Sequence, residues 1–400
     1  MKPLNGVKII DFSQGHGASL ATAILADFGA EVIKIENTAS PDPAKNWAPV
    51  KNGGSAYYTY LNRGKKSAAL DLEKEEAKNI VRTMIKGADV VCENLDYGVM
   101  EAMGFDYDLL RKDNPGLIYA SLLPFGKTGP LKTKRAMDIQ IEAMSGIMDV
   151  TGFKDSKPIK AGTPFGYHVG ATYLAMAIVL ALINKEKTGC GQRVDISNVD
   201  ALYTLLPIES FLQTYTPENV QWPPRYANYT PSICPYDTFE AKDGYVTIAF
   251  STDAQFFKFC DVFGLDEIKS DPRYASNLSR SNNYEDSLRP AMAAVFAKMS
   301  KDDIIRMLEG ARLVCSVVNT IDEAMDNEQL AVRNMLVDVN DKAVGKIKIP
   351  GTVIKMEGTP GSISAGAPVT GEDTAACMEE AGFMAEQVKA FADRKIIETN

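Results

Sequence analysis

The feature that most narrows the fold of this chain is the alternation of short apolar runs with helical or loop segments across residues 1–125. Val7-Lys8-Ile9-Ile10-Asp11-Phe12 is an apolar run bounded by turn residues, the pattern of a strand buried in a parallel sheet. The small-residue loop Ser13-Gln14-Gly15-His16-Gly17-Ala18-Ser19 follows. Leu20 to Phe28 then has helical apolar spacing, and Gly29 stands where a C-cap belongs. Glu31 to Glu36 is the next strand, so the whole unit fits the roughly thirty residues of a βαβ crossover. Ser67 to Leu72, Asp89 to Glu93 and Leu117 to Leu123 read as further strands, with a helix from Lys74 to Lys86 between the first two. Such a series predicts an α/β fold with a doubly wound, Rossmann-like sheet.

The middle of the chain changes character. Ile139 to Met148 and Val169 to Asn184 read as helices, and the turn Lys187 to Gln192 leads into a strand at Arg193 to Ile196. The Pro- and Tyr-rich stretch 221–235 reads as a linker. Beyond it, Tyr236 to Phe250 has the pattern of a hairpin turning at Lys242-Asp243-Gly244, with helices after it, which predicts a smaller α+β domain over 225–322. Glu372 to Ile397 reads as an amphipathic helix.

Composition removes several function classes. A net charge of −9 argues against a nucleic-acid partner, which calls for a basic face. The longest apolar run, Ala171 to Ile183, falls short of the ~20 residues of a membrane span, so no membrane partner is expected. The start shows no signal-peptide pattern, and the six cysteines are scattered without tight spacing, as in a reduced cytoplasmic protein. With two histidines, His16 and His168, and no clustered ligands, no metal site is expected. No GxSxG elbow and no Walker loop occur. Gly15-His16-Gly17 invites the dinucleotide fingerprint, but its third glycine position holds Leu20, so NAD is not expected.

Ten segments in one order carry a resemblance. They are Leu4 to Asp11, Leu25 to Glu36, Asn62 to Ser67, Asp71-Leu72, Cys92-Glu93-Asn94, Met103-Gly104-Phe105, Ala143 to Gly146, Thr188 to Gln192, Asp271 to Asn277 and Gly371 to Thr374. With these the chain resembles the family III CoA-transferases, the group containing formyl-CoA transferase and carnitine CoA-transferase, over nearly its whole length. The resemblance implies a large domain built from both termini (1–220 and 325–400), the small domain between them, and two chains interlocked as a dimer. It also implies that the protein moves CoA between an acyl-CoA and a carboxylic acid. Coenzyme A or acyl-CoA would be the substrate, with His16, Arg63, Lys65, Leu70, Asn94, Leu95, Met103 and Arg135 at the positions that bind it. Arg63, Lys65 and Lys66 are the basic residues this assigns to the phosphates.

One position departs from the family's chemistry. Its members use an aspartate whose carboxylate attacks the acyl-CoA to give a mixed anhydride; the released CoA thiolate then attacks the aspartyl carbonyl and is held as an aspartyl thioester. Counting back from Thr188-Gly189-Cys190-Gly191, with Gly166 and His168 as anchors, that position is Tyr167. A phenol with an ordinary pKa near ~10 is mostly neutral and has no carbonyl carbon to carry CoA. Asn37, Glu73 and Ala102 stand where basic residues are common in the family, and His16 stands where a glutamine contacts the reacting acyl group. Asp138 and Glu142, at i,i+4, share one face of the predicted helix and are the carboxylates nearest in role, Asp138 first. The expected function is therefore CoA transfer by a heteromer whose homologous partner subunit carries the aspartate. A homodimer with a substitute nucleophile, and a non-catalytic acyl-CoA-binding protein, are the alternatives.

Overall fold

The computed structural model describes residues 1–215, 225–230 and 232–400. The part of the expected linker at 221–224 and 231 lies outside them. The chain divides into two compact units, one of residues 1–148, 160–218 and 328–400, the other of 149–159 and 219–327.

The first unit is built on a seven-stranded sheet. Its strands are β1 (Lys8–Asp11), β2 (Glu31–Asn37), β3 (Lys66–Leu70), β4 (Val90–Glu93), β5 (Ile118–Leu123), β6 (Arg193–Ser197) and β7 (Ile397–Glu398), in the order β7-β3-β2-β1-β4-β5-β6. β1 to β6 pair in parallel, and β7 closes the edge antiparallel to β3, with Ile397 opposite Leu70. Alternate residues of each strand feed two cores. Ile10, Ile33, Ile35 and Val91 pack toward the helix Glu75–Lys86, whereas Ile9, Val32, Val90, Ile118 and Ala120 pack toward helices α1 (Ala18–Asp27) and α3 (Phe165–Thr188). A parallel sheet covered on both faces needs such unbroken apolar strands, which is why these runs were legible. Helix α3 is long and apolar enough to cross a membrane, yet Gly166, Gly170, Ala171, Leu174 and Ile178 bury one of its faces in the core.

Two expected helices are shorter than their apolar spacing implied. The one read over Ile139 to Met148 is α2 (Asp138–Ser145), ended by Gly146 at φ +93° and followed by a single turn at Ile147–Val150. The C-terminal one is two helices, Thr374–Glu380 and Ala385–Asp393. Between them Gly382 takes φ +97°, while the Phe383 N–H bonds the Met378 carbonyl and the Gly382 N–H the Glu379 carbonyl, a glycine-closed helix end. A hairpin of Leu336–Asp341 with Gly345–Pro350 completes this unit and was not anticipated.

The second unit combines a small antiparallel sheet with helices. Tyr236–Ala241 and Gly244–Ala249 form the hairpin, and Cys315–Val317 joins Gly244–Ala249 from the other side. Its core is aromatic, with Phe239, Phe250, Phe256, Phe259, Tyr284 and Phe296 buried. Arg280 lies at its centre, fully buried, and donates to the Cys234 and Tyr274 carbonyls and to Asp253.

Candidate functional site

In the strand order β3-β2-β1-β4-β5-β6 the chain winds one way from β1 to β3 and the other way from β4 to β6. In open α/β sheets, ligands bind beyond the carboxyl ends of the strands where that direction reverses. Here the reversal lies between β1 and β4. Beyond them a cavity of about 650 Å³ opens, lined by Gln14, His16, Trp47, Asn94, Leu95, Leu122, Lys132, Lys134, Arg135, Gln140 and Tyr167 among others.

The loop after β1 is held at nearly every backbone group. Ser13 N–H donates to Asp11 Oδ1 at 2.9 Å, Gln14 N–H to Asn94 Oδ1 at 2.8 Å, and Gly15 N–H to Asp42 Oδ1 at 2.9 Å. Asn94 Nδ2 returns bonds to the Gln14 and His16 carbonyls at 2.8 and 2.9 Å. Lys34 Nζ caps the Ser13 carbonyl at 2.6 Å and pairs with Asp42 at 2.9 Å. Gly15 and Gly17 take φ +61° and +85°, and a Cβ on Gly15 would lie 2.9 Å from the Trp47 ring. The two glycines are therefore needed to turn the loop tightly against Trp47 and into α1.

This loop presents His16, 5 % exposed, to a group of rings. Tyr57 and Tyr167 stack on it, with centroids 5.4 and 5.5 Å away and interplanar angles of 29° and 28°. His168 is tilted at 4.6 Å, and Trp47 lies 5.7 Å from Tyr57. Both ring nitrogens of His16 and the Tyr57 hydroxyl are buried without a hydrogen-bond partner. Burial first, then His168, pushes the His16 imidazole down to about 3, so it is neutral. Burial, with Tyr60 and Asp138 adding to it, lifts the Tyr57 phenol to about 12. Burial and then Asp138 raise Tyr167 as well, so it stands there as a neutral phenol.

Asp138 opens α2 and accepts the Tyr167 N–H at 3.1 Å through Oδ1. Glu142, one turn on and buried, accepts the Ala161 N–H through Oε2 at 2.8 Å, while its Oε1 has no partner. Burial raises its carboxyl; the Ala161 N–H opposes this and the Asp138 carboxylate adds to it. Asp96, which also lines the cavity, is engaged by Arg135.

Of the positions marked in the sequence, His16, Asn94, Leu95, Arg135 and Tyr167 come together at this cavity, with Asp138 directly beneath Tyr167. Met103 packs beside the core under the sheet. Arg63, Lys65 and Leu70 lie inside the fold and do not line this cavity. Arg63 clasps Asp27 through Nε and Nη2, at 3.2 and 2.6 Å, and donates Nη1 to the Tyr60 carbonyl. Lys65 spends its three protons on Asp11, Asn62 and the Ser19 carbonyl, and Leu70 is fully buried in β3. Lys65 has all three donors engaged within the chain, and buried Arg63 is turned onto Asp27 and the Tyr60 carbonyl. Lys66 lies at the edge, paired with Glu31. The cations that do line the cavity, Lys132 and Lys134, were missed. Their signal was the run Lys132-Thr133-Lys134-Arg135, three bases in four residues just before α2.

The buried neutral His16 makes stability pH-dependent. Its folded pKa lies below the ordinary ~6.5, so the unfolded chain binds the extra proton between that value and about 3. Stability from this group is complete above pH ~6.5 and is lost as the pH falls toward 3. The variant His16→Gln is expected to show a flatter decline over that window, read as urea midpoints at stepped pH. Parallel declines would show that His16 is charged in the folded state.

Comparison with known proteins shows what the chain is similar to. A model of CoA-transferase family III matches residues 4–374. Among curated relatives, the acetyl-CoA:oxalate CoA-transferase of Acetobacter aceti is 34% identical over 97% of each chain. The succinate–glutarate CoA-transferase of Agrobacterium fabrum is 33% identical over 94% of this chain and 95% of its own. Among solved structures, a CAIB/BAIF family protein from Brucella suis superposes with a TM-score of 0.85 at 31% identity, covering 95% of this chain and 99% of that one.

Proposed function

Since the chain belongs to CoA-transferase family III, we propose that it binds acyl-CoA in the cavity beyond β1 and β4 and serves the movement of CoA between an acyl-CoA and a carboxylic acid as a subunit that lacks the nucleophile. The observation that carries this reading is the Tyr167 ring, stacked on His16 at 5.5 Å at the place the resemblance gives to the aspartate. A phenol there can pack and can donate a hydrogen bond, but it has no carboxyl carbon on which a mixed anhydride and then a CoA thioester would form. The missing carboxylate comes from a homologous Asp-bearing chain in the proposed assembly. Support for a partner lies in apolar side chains left exposed on described helices: Met176, Leu180 and Ile183 of α3, and Ile208 of the helix Pro207–Tyr215. The interlocked arrangement, with 1–220 and 325–400 as the large domain, 225–322 as the small one and the cytoplasm as the setting, belongs to the same proposal.

In this reading the chain's own residues bind and orient. Lys132, Lys134 and Arg135 line the cavity and supply positive charge for the phosphates of CoA. Asn94 fixes the His16 loop, and His16 lines the cavity with Tyr57 stacked on it, the polar atoms of both rings unused. A second reading, a substitute nucleophile, is favoured by Glu142, whose buried Oε1 is unpartnered.

Intact-mass measurement of the purified chain after incubation with acyl-CoA separates the two. No CoA-sized adduct is expected on the chain alone. An adduct mapped to Asp96, Asp138 or Glu142 would overturn the non-catalytic reading and identify the nucleophile.

A further inference from the structure

We infer that the acyl end of this cavity accepts a planar, uncharged acyl group, aromatic or conjugated, and turns away acyl groups that carry a second carboxylate. The inference rests on the reading of the cavity as an acyl-CoA site and narrows it to a substrate class. Three observations meet at one place. His16, Tyr57, Tyr167 and Trp47 bring ring faces and edges together within 5.7 Å of one another along the chain of contacts Tyr167–His16–Tyr57–Trp47, a surface that a flat π-system matches. Three polar atoms among these rings, His16 Nδ1 and Nε2 and the Tyr57 hydroxyl, are buried and unpartnered. Buried polar groups call for partners. A neutral imidazole offers one N–H, the neutral phenol one O–H, and a single thioester carbonyl accepts both. A neutral donor pair is complementary to a carbonyl and supplies no counter-charge to a carboxylate.

The third observation is the sign of the charge beside these rings. Asp138 holds the Tyr167 backbone at 3.1 Å and acts on both the Tyr57 and Tyr167 phenols. An acyl group ending in a second carboxylate would meet like charge beside them. The cavity's cations have contacts elsewhere: Lys132 lies over Tyr97, Lys134 over Phe125 and beside Met144, and Arg135 on Asp96. None of these partners belongs to the ring group, so the positive charge and the rings serve different parts of one ligand.

Calorimetric titration of the full chain with free CoA, benzoyl-CoA and succinyl-CoA tests this. Benzoyl-CoA is expected to bind at least about tenfold more tightly than succinyl-CoA. In Asp138→Asn/Glu142→Gln the gap is expected to narrow because succinyl-CoA binds better, while free CoA binds as before. Tyr57→Phe, which removes one orphaned donor and keeps the ring, is expected to weaken benzoyl-CoA without changing free CoA. Free CoA that binds with succinyl-CoA equal to or tighter than benzoyl-CoA overturns this inference alone. Failure of free CoA and of both thioesters to bind overturns the acyl-CoA reading beneath it, and this inference with it.

Discussion

With Tyr167 replaced by aspartate, the chain is expected to gain a covalent CoA adduct that the parent does not form. Residue 167 lies in the first turn of α3, where N–H groups without helical partners and the helix dipole favour a negative side chain. The backbone there is already fixed, since Asp138 accepts the N–H of residue 167 at 3.1 Å. A carboxylate at this point can attack the thioester carbon, release CoA thiolate, and take the thiolate back on its own carbonyl carbon as the original acid departs. Two terms oppose it. Burial and the neighbouring Asp138, which together raise Tyr167, will also raise the new carboxyl, so adduct formation should climb with pH through the carboxylate range. Asn37, Glu73 and Ala102 leave fewer basic groups for CoA, each charge-assisted contact being worth about 1.5–3 kcal/mol. Lys132 and Lys134 offset part of that loss. Trapping with hydroxylamine and intact mass give the readout: adduct in Tyr167→Asp against none in the parent. Equal adduct or equal transfer in both would mean that position 167 is not the nucleophile's place. Transfer that appears in the parent only after a homologous Asp-bearing chain is added would establish the heteromer.

The parallel sheet was readable because its strands are buried on both faces. Ile9 and Ile10 point to opposite cores and both had to be apolar, so the pattern stood out without any partner information. The loop at His16 was readable as a loop, and its glycines as turn formers. Its surroundings were not, because Trp47, Tyr57 and Tyr167 approach it from three separate segments and no spacing in the sequence joins them. The basic residues show the same limit from the other side. Arg63 and Lys65 look like Lys132 and Lys134 in a one-dimensional reading. What distinguishes them is the presence of Asp27 and Asp11 across the fold, which pair with the first two inside it. The broken helices near Gly146 and Gly382 were available in principle, since both breaks are glycines at positive φ. Apolar periodicity continued past them and outweighed the single residue.

The pair Lys34–Asp42 supports the second large effect. Lys34 is 1 % exposed, and its ammonium bonds the Ser13 carbonyl and Asp42; Asp42 in turn holds the Gly15 and Ala44 N–H groups. Removing the cation alone, in Lys34→Met, strands the buried Asp42 carboxylate and takes away a counter-charge that Asp11 also uses. Breaking a buried pair from one side costs about 3–5 kcal/mol, against the ~1 kcal/mol expected of an exposed pair. The double variant Lys34→Met/Asp42→Asn keeps the amide oxygen for Gly15 and leaves no stranded charge, so it should be more stable than Lys34→Met alone. The pH dependence follows from both partners. Burial alone would raise Asp42, and Lys34 together with the Ala44 and Gly15 N–H groups outweighs it and holds the carboxyl low; its contribution is present above the ordinary ~3.9 and lost as the pH falls through the lower folded value. Burial alone would lower Lys34, and Asp42, Asp11 and Glu36 outweigh it; its contribution is present below the ordinary ~10.4 and lost as the pH rises through the higher folded value. The difference between parent and Lys34→Met should therefore be widest between pH ~4 and ~10 and close on either side, measured by urea midpoints. Because the same pair sets Ser13 and Gly15, the variant should also bind free CoA more weakly at temperatures where it remains folded. A penalty below about 1 kcal/mol, with unchanged CoA affinity, would show that water or another cation serves Asp42 and that the His16 loop stands without this clamp.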